Sequence, residues 1–414
     1  MRGKTYIPSL VSWNLTKKCN LQCPHCYLSA GRAAERELTT DECLGLLDEM
    51  QRLGTEMLIL TGGEPLLRKD IYRIAEAASR MGIWVVMGTN GVLITHEVAQ
   101  KMVECGVRGV GISIDSADPD RHNEFRGGRN AWQHSVRALK ICKEEGLEVL
   151  VQTTVMEENY DEIPALLDFA REYGAWSFNL YFLVQTGRGQ GMTDLSAAAT
   201  EAMLSRLIDW QDDYRPMLVR SKCAPQFKQI AYAKGRGGME SGGCMAATEY
   251  CRITPEGNVT PCPYMDVVAG SVLSQSFTTI WNDSSVFAEL REPAKLKGRC
   301  GKCEFQDLCG GCRCRAFAAT GDYLSEDPAC TYQPTGVALP ESVLHWDQSA
   351  EDRLMRIPIT FIRSKTRKGV EAYARSRGFG SITTEVMNGA LSGMKRSGGF
   401  ARMPTLHQKP DHLV

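Results

Sequence analysis

The chain has 414 residues, 43% of them apolar, and its 48 basic and 49 acidic residues give a formal net charge of −1. This length predicts two or three domains with sizeable cores, and the near-balanced charge argues against nucleic acid or an anionic membrane as a partner. The 16 cysteines could form disulfides in a small secreted protein, but this long chain shows neither a signal peptide nor an apolar run that could span a membrane. We therefore expect a cytoplasmic protein whose clustered cysteines bind metal.

Six short apolar runs alternate with amphipathic segments up to about residue 218, and each run is typical of a buried parallel strand. The runs cover residues 10–15, 56–61, 83–87, 107–114, 147–155 and 176–184. Helical patterns lie between them, and the first begins at a capping box of Thr39 and Glu42. Six strand–helix units predict an α/β fold with a partial, TIM-like (β/α)6 barrel whose chemistry lies at the carboxyl ends of the strands. An ordinary doubly wound sheet is the alternative.

A C-x3-C-x2-C loop of Cys19, Cys23 and Cys26 directly follows the first predicted strand. Three thiolates on one short loop can each bind one iron of a four-iron cluster, because soft sulfur ligands select such clusters. No fourth cysteine follows at a comparable spacing, so one iron would stay open to a small molecule. Buried structural cysteines and a zinc knuckle are the alternatives.

Polar residues also follow the later strands. The second strand ends at Gly62, Gly63 and Glu64, where glycines let the backbone approach a ligand closely and a carboxylate can accept hydrogen bonds from an ammonium group. The ends of the next three strands carry Asn90, Ser113, Asp115 and Thr153. A plain turn and capping side chains are the alternative roles for these residues.

The cysteine loop and the Gly-Gly-Glu-Pro turn together resemble those of the radical S-adenosylmethionine (radical SAM) enzymes. The resemblance implies that the three cysteines bind a 4Fe–4S cluster whose free iron takes the amino and carboxylate groups of SAM. One-electron reduction, from a small donor such as flavodoxin or ferredoxin, would then give a 5′-deoxyadenosyl radical. The turn would hold the methionine amino group, and the four polar residues would contact the rest of SAM. His25 stands where the family usually has an aromatic residue.

The composition changes after a predicted barrel domain at 1–225, with a glycine-rich linker at 226–243. Nine of the 16 cysteines follow, in a segment that we place at 244–335. Their order, C-x12-G-x4-C and then C-x2-C-x5-C-x2-C with one distant cysteine, resembles the SPASM domain that holds auxiliary iron–sulfur clusters. A zinc ribbon is the alternative, but its C-x2-C pairs lie roughly 15–20 residues apart, and here only five residues separate Cys303 from Cys309.

The resemblance implies ligands for one or two auxiliary 4Fe–4S clusters. One cluster would be held by Cys244, Cys251, Cys262 and Cys312, and the second by Cys300, Cys303, Cys309 and Cys330. The family commonly has three residues, rather than two, before the last cysteine of the motif, so Cys314 could replace Cys312. Among the remaining cysteines, Cys43, Cys105 and Cys142 lie in helical patterns and are expected in the core. Cys223 follows the barrel strands and is either a candidate catalytic, substrate-side residue or an inert thiol.

The last part of the chain contains segments that indicate the class of substrate. Residues 345–393 resemble a small helical domain of light-independent protochlorophyllide reductase, and residues 397–414 are polar and predicted to be disordered. Residues 184–189 and 309–322 resemble the radical SAM branch of alternative heme biosynthesis, which acts on tetrapyrroles. The second stretch also resembles peptide maturases of the pyrroloquinoline quinone and mycofactocin kind.

The substrate implied by the resemblance is therefore an iron tetrapyrrole, whose side chains would be decarboxylated or trimmed, or a peptide. The propionates of an iron tetrapyrrole would need cationic partners, and Arg126, Arg129 and Arg188 are candidates because they follow barrel strands. An iron–sulfur electron carrier without catalysis is a further alternative, but it gives the Gly-Gly-Glu-Pro turn no role.

Overall fold

The computed structural model describes residues 6–234, 243–337, 344–357, 360–377, 379 and 381–396. Residues 235–242 of the predicted linker and the predicted tail at 397–414 lie outside these ranges. The linker prediction is wrong for its first part, because Phe227–Ala233 form a helix. Phe227, Ile230 and Ala231 are buried on one side of that helix, at the spacing that an amphipathic helix requires.

Seven parallel strands lie side by side in chain order. They are β1 (Leu10–Asn14), β2 (Met57–Thr61), β3 (Trp84–Thr89), β4 (Val107–Ser113), β5 (Glu148–Val155), β6 (Ser177–Phe182) and β7 (Leu218–Lys222). The first six correspond to the predicted runs, and the predicted partial barrel is confirmed. The sequence pattern does not predict β7, because only Val219 among its five residues is buried.

Helices cover the outer face of this sheet. They are α1 (Thr40–Arg52), α2 (Ile71–Arg80), α3 (His96–Glu104), α4 (Pro119–Arg126), α5 (Ala131–Glu144), α6 (Ile163–Glu172), α7 (Ala197–Asp213) and α8 (Phe227–Ala233). The predicted capping box at the start of α1 is present, since Thr39 accepts from the Glu42 backbone and the Glu42 carboxylate accepts from the Thr39 backbone. The first strand–helix unit therefore follows local sequence signals.

The two faces of the sheet differ in their surroundings, because successive strand residues point to opposite sides. In β5, Val149, Val151 and Val155 are buried in the hydrophobic core, whereas Gln152 and Thr154 keep accessible surface. The same alternation occurs in β2 and β3. The core therefore lies between strands and helices, and the other face of the sheet bounds a partly open interior.

The cysteine-rich region extends the same sheet. Its strands are β8 (Tyr250–Ile253), β9 (Asn258–Thr260) and β10 (Gly270–Ser271), and its helices are α9 (Phe277–Asp283), α10 (Ser285–Leu290), α11 (Gly298–Gly301) and α12 (Arg313–Thr320). Strand β8 pairs in parallel with β1, on the edge away from β7. The region therefore continues the barrel wall at β1.

Arg315 of α12 joins this region to the other end of the barrel sheet. Its guanidinium donates to the carbonyl of Leu183, after β6, at 3.1 Å and to that of Cys223, after β7, at 2.9 Å. The same guanidinium is paired with the carboxylates of Asp194 at 3.2 Å and Asp327 at 3.7 Å. Arg315 is thus a buried cation that ties the cysteine-rich region to the strands farthest from β1.

The C-terminal part has a small core of its own. It consists of β11 (His345–Trp346), α13 (Gln348–Met355), α14 (Thr360–Ser376), β12 (Ser381–Ile382) and α15 (Thr384–Arg396). Ala350, Leu354, Val370 and Ile382 are among its buried residues. Across the described ranges of the whole chain, no helix has both the length and the apolar character needed to cross a membrane.

We predict that Arg315→Met lowers the free energy of unfolding by about 3–5 kcal/mol, because it leaves the carboxylates of Asp194 and Asp327 without their buried counter-charge. Anaerobic urea unfolding measures this. The control is Arg80→Met, which removes an exposed pair with Glu76 and should change the free energy by about 1 kcal/mol or less. If Arg315→Met lowered the free energy of unfolding no more than Arg80→Met does, the role of Arg315 as a buried counter-charge would be contradicted.

Candidate active site

Cys19, Cys23 and Cys26 lie together at the carboxyl end of β1. Burial, together with the charges of the neighbouring Glu64, Cys23 and Cys26, raises the pKa of the Cys19 thiol to about 11. Leu21, Cys23 and Ala131 form a small buried cluster against which Cys19 and Cys26 pack. The three thiols therefore share one position on the barrel, as the spacing predicts.

Arg188 holds the cysteine loop through its backbone. Its Nε donates to the carbonyl of Cys23 at 2.9 Å and its Nη1 to the carbonyl of Ala30 at 2.5 Å. Its own backbone N–H donates to the carbonyl of Cys26 at 3.0 Å. These bonds correct the prediction that Arg188 faces the substrate, since the guanidinium is engaged by the loop.

Arg126 and Asp115 form a buried ion pair beside the same loop. Arg126 Nη1 also lies 3.6 Å from the Cys23 sulfur, and Asp115 accepts from the Thr154 backbone at 2.8 Å. Although burial opposes it, the nearby Arg126 and His25 hold the pKa of Asp115 below its usual value. The two side chains neutralise each other and position Cys23, which corrects their predicted roles as propionate and SAM contacts. Arg129 is exposed.

His25 stacks on Phe125 with ring centroids 4.7 Å apart and an interplanar angle of 7°. Its Nε2 lies 3.8 Å from the Asp115 carboxylate. Burial lowers the pKa of His25 to about 4, so the ring is neutral at pH 7. His25 therefore fills the family's aromatic position as an uncharged, stacked ring.

The Gly62–Gly63 turn lies against the chain that leads into the cysteine loop. The N–H of Gly63 donates to the Thr16 carbonyl at 2.7 Å, and that of Glu64 donates to the Lys18 carbonyl at 2.8 Å. A Cβ on Gly62 would lie 2.5 Å from the Thr16 oxygen, and one on Gly63 would lie 2.3 Å from the Lys18 oxygen. The glycines are thus required for close approach to the protein's own backbone, whereas the sequence predicted approach to a ligand.

The Glu64 carboxylate is fully buried and engaged inside the protein. It accepts from the Thr89 hydroxyl at 2.8 and 2.9 Å and from the Asn90 backbone at 2.9 Å. Asn90 in turn donates to the Asn20 side chain, within the cysteine loop, at 2.8 Å. Glu64 therefore joins the ends of β2 and β3 to the loop, and this geometry does not support a direct bond from Glu64 to the methionine amino group.

The other predicted SAM contacts differ in accessibility. Thr153 is fully buried and donates to the Ile114 carbonyl at 2.6 Å. Ser113, at the end of β4, keeps accessible surface. The structure thus leaves Ser113 available to a ligand and gives Thr153 a role inside the wall of the barrel.

Cys300, Cys303, Cys309 and Cys330 line one cavity in the cysteine-rich region. Three N–H groups approach their sulfurs: those of Gly311 to Cys309 at 3.4 Å, Asp327 to Cys300 at 3.5 Å, and Arg313 Nη2 to Cys300 at 3.5 Å. Four thiols around one space, with N–H donors aimed at sulfur, fit the ligand set of an iron–sulfur cluster.

A second group of cysteines contains Cys244, Cys262, Cys312 and Cys314. Cys314 interacts by hydrogen bonding with both Cys262 and Cys312. Burial, together with the charges of Cys312 and Cys262, raises the pKa of Cys244 to about 12. Cys223 joins this group, because Cys312 and Cys262 also raise its pKa in addition to burial.

Cys251 lies apart from this group. It belongs to β8, stands beside Val11 of β1 and is buried in the barrel core. Burial raises its pKa, and Arg291, rather than any cysteine, is the charge that influences it. The assignment of Cys251 to an auxiliary cluster is corrected for this reason, and Cys223 and Cys314 are the further thiols that lie with Cys262 and Cys312.

No three His, Cys, Asp or Glu side chains converge on a single-ion position within the described ranges. A four-iron cluster does not need such convergence, because each thiolate binds a different iron. Arg313 and Arg315 are not among the predicted site residues, although both stand beside Cys312 and Cys314 in the sequence. A hydrogen bond with Cys314 and the charge of Arg315 lower the pKa of Cys312, and Arg313 Nη2 lies 3.5 Å from the Cys300 sulfur.

Comparison with known families agrees with this geometry. The Radical SAM superfamily model matches residues 13–170, and a model described as an iron-sulfur cluster-binding domain, SPASM, matches residues 244–313. A third model, the proto-chlorophyllide reductase 57 kD subunit, matches residues 346–390. The barrel, its three-cysteine loop and the cysteine-rich region define a radical SAM enzyme with a SPASM domain, as the resemblance predicted.

Individual members of this class of enzyme are similar to the chain. The chain is 39% identical to the AdoMet-dependent heme synthase of Methanosarcina barkeri, over 81% of this chain and 99% of that protein. It is 31% identical to the mycofactocin maturase MftC of Mycolicibacterium smegmatis, over 78% and 82%. The crystal structure of Streptococcus suis SuiB bound to S-adenosylmethionine shares the fold with a TM-score of 0.67 at 19% identity, over 79% and 78%. The chain belongs to the radical SAM family that includes the heme synthase and the maturase.

We predict that Gly63→Ala prevents normal formation of the barrel's iron–sulfur cluster, because its Cβ would meet the Lys18 carbonyl, a backbone atom that cannot turn away. The measurement is iron and sulfide per chain after anaerobic reconstitution, with the expected loss of one cluster. Gly45→Ala is the matched control, since a Cβ on Gly45 in α1 meets nothing within 4 Å. Full iron content in Gly63→Ala would contradict the proposed packing.

We predict that Glu64→Gln loses less stability than the wild type when the pH is raised from 4.5 to about 7. The folded-state pKa of Glu64 is raised from 4.5 to about 7, so its stabilising contribution is present below pH 4.5 and is lost as the pH rises through about 7. As the pH rises through this range, the Tm of Glu64→Gln should therefore increase relative to the Tm of the wild type. The exposed Glu35→Gln serves as control, and an unchanged difference across the window would contradict burial of the carboxylate.

Proposed function

We propose that this radical SAM enzyme oxidatively decarboxylates or trims propionate side chains of an iron tetrapyrrole. The observation that carries the proposal is the 39% identity to a heme synthase over 99% of that protein's length. The predicted likeness of residues 309–322 to enzymes of heme biosynthesis supports it. The match of the C-terminal segment to a subunit of proto-chlorophyllide reductase agrees with a tetrapyrrole substrate.

Three groups of cysteines would hold the iron–sulfur clusters. Cys19, Cys23 and Cys26 hold the cluster that binds SAM, with Ser113 available at the barrel mouth. The four cysteines that line the cavity, from Cys300 to Cys330, hold one auxiliary cluster. The second is held by Cys244, Cys262, Cys312 and Cys314, with Cys223 close beside it. Together with SAM, the first cluster supplies a 5′-deoxyadenosyl radical.

The reaction balances as follows. The radical takes one hydrogen atom from the propionate carbon next to the macrocycle and becomes 5′-deoxyadenosine. The carbon–carboxylate bond then breaks, carbon dioxide leaves, a vinyl group remains, and one electron is released. The auxiliary clusters would accept that electron, and a small donor such as flavodoxin or ferredoxin in the cytoplasm would supply the electron that starts the reaction.

The residues of the chain position these groups and exclude water. Arg188 and Arg126 hold the cysteine loop, and the Glu64 network fixes the loop against β2 and β3. Such fixed geometry matters because the hydrogen donor must lie in contact with the radical. Arg129 remains a candidate partner for a propionate because its guanidinium is exposed.

Maturation of a peptide is the second candidate function. The 31% identity to a mycofactocin maturase favours it. A peptide substrate and a tetrapyrrole differ in charge, size and planarity, so they are easily distinguished in an assay.

The test is an anaerobic reaction of the reconstituted, reduced enzyme with SAM and iron coproporphyrin III. We expect 5′-deoxyadenosine together with a porphyrin that has lost carbon dioxide and two hydrogens from a propionic acid side chain. Cys26→Ser should abolish both products because it removes a ligand of the SAM-binding cluster, whereas Cys142→Ala, in the core, should keep them. An unchanged porphyrin, with 5′-deoxyadenosine formed only when a peptide is present, would favour the maturase instead.

A further inference from the structure

Four tyrosines lie between the two groups of cysteines that face the barrel interior. Tyr27 directly follows Cys26, and Tyr264 lies two residues after Cys262. The rings of Tyr27 and Tyr264 have centroids 5.1 Å apart. Tyr181 comes from β6 and Tyr250 from β8, so strands from both ends of the barrel wall contribute.

These tyrosines are deeply placed and yet accessible. Burial is the main reason why the pKa values of Tyr27 and Tyr181 are raised. All four nevertheless keep intermediate accessible surface. Side chains that are surrounded by protein but retain surface line an interior space, here the one bounded by the inner face of the sheet.

The neighbours of Tyr27 place this space between two cysteine groups. The ring of Tyr27, which directly follows Cys26, lies beside the ring of Tyr264. Tyr264 packs, together with Cys223 and Cys262, against the buried cluster that contains Cys312 and Cys314. A molecule lying against these rings would therefore lie between the SAM-binding loop and the first auxiliary cysteine group.

Two of the four phenol hydroxyls have hydrogen-bond partners within the described part of the chain. Tyr27 accepts from the Asn14 side chain at 2.8 Å, and Tyr250 interacts with Ser12. Neither Tyr181 nor Tyr264 has a hydrogen-bond partner for its hydroxyl among the residues that the structure describes. Deeply placed donors without partners are costly, so these two hydroxyls are suited to a ligand acceptor.

Three nearby arginines are engaged within the protein. Arg126 is paired with Asp115, and Arg188 is bonded to the cysteine loop. Arg252 donates to the Pro263 carbonyl at 2.6 Å and pairs with Asp266. Carboxylates entering the space would meet neutral hydroxyl donors.

We propose that Tyr27, Tyr181, Tyr250 and Tyr264 form the substrate-binding surface, with a planar conjugated ring against Tyr27 and Tyr264. The hydroxyls of Tyr181 and Tyr264 donate hydrogen bonds to carboxylates of the substrate. This inference rests on the proposed tetrapyrrole function and names the residues that recognise its ring and its propionates. Aromatic faces and phenol donors suit a ligand that is flat, conjugated and anionic.

The test uses Tyr181→Phe and Tyr264→Phe, each of which keeps the ring and removes one hydroxyl. Binding of iron coproporphyrin III to the reconstituted enzyme, followed by visible absorption in the presence of SAM, should weaken about tenfold in each variant, since a hydrogen bond to a charged group is lost. Tyr173→Phe is the matched control, because Tyr173 lies after α6 and packs on Phe169 on the outer side of the sheet. Its affinity should equal that of wild type.

Iron content per chain is measured for every variant, so that cluster loss is separated from loss of binding. Affinities equal to wild type in both Tyr181→Phe and Tyr264→Phe, with full iron content, would overturn the inference. A wild type that binds the porphyrin without releasing carbon dioxide would overturn the proposed reaction and leave the binding surface standing. A wild type that does not bind the porphyrin would overturn both.

Discussion

The close backbone packing of the Gly62–Gly63 turn against Thr16–Lys18 is the constraint on which the active site depends. Two hydrogen bonds cross this contact, and side chains on either glycine would prevent it. The chain emerging from β1 is thereby fixed just before Cys19. Glu64, at the end of the same turn, binds Thr89 and Asn90 and extends the fixed geometry to β3. The cysteine loop is thus positioned by neighbouring strand ends.

Arginines hold each group of cysteines in place. Arg188 and Arg126 hold the loop of Cys23, and Arg315 ties the cysteine-rich region to the segments after β6 and β7. Arg126 and Arg315 are buried and paired with carboxylates, which offsets the cost of burying a charge. These arginines therefore hold the protein's own chain, and the proposed recognition of an anionic substrate uses phenol hydroxyls.

The sequence predicts most of what depends on local patterns. The six strands, the capping box at Thr39 and the convergence of Cys19, Cys23 and Cys26 follow from apolar runs, caps and short spacings. It does not predict contacts set by pairing of distant segments. Cys251 is drawn into the core because β8 pairs with β1, and no feature of its spacing reveals that pairing. Likewise, the partners of Arg126 and Arg188 come from the folded arrangement of loops, whereas sequence position alone suggested cations facing a substrate.

The most direct test of the account follows one hydrogen atom. Iron coproporphyrin III carrying deuterium on the propionate carbon next to the macrocycle would be supplied to the reduced enzyme with SAM, and the 5′-deoxyadenosine analysed by mass spectrometry. Because the radical would be generated at the loop of Cys19, Cys23 and Cys26 and would act on a substrate in the same interior, we predict one deuterium in 5′-deoxyadenosine for each carbon dioxide released. Carbon dioxide release accompanied by 5′-deoxyadenosine without deuterium would contradict it.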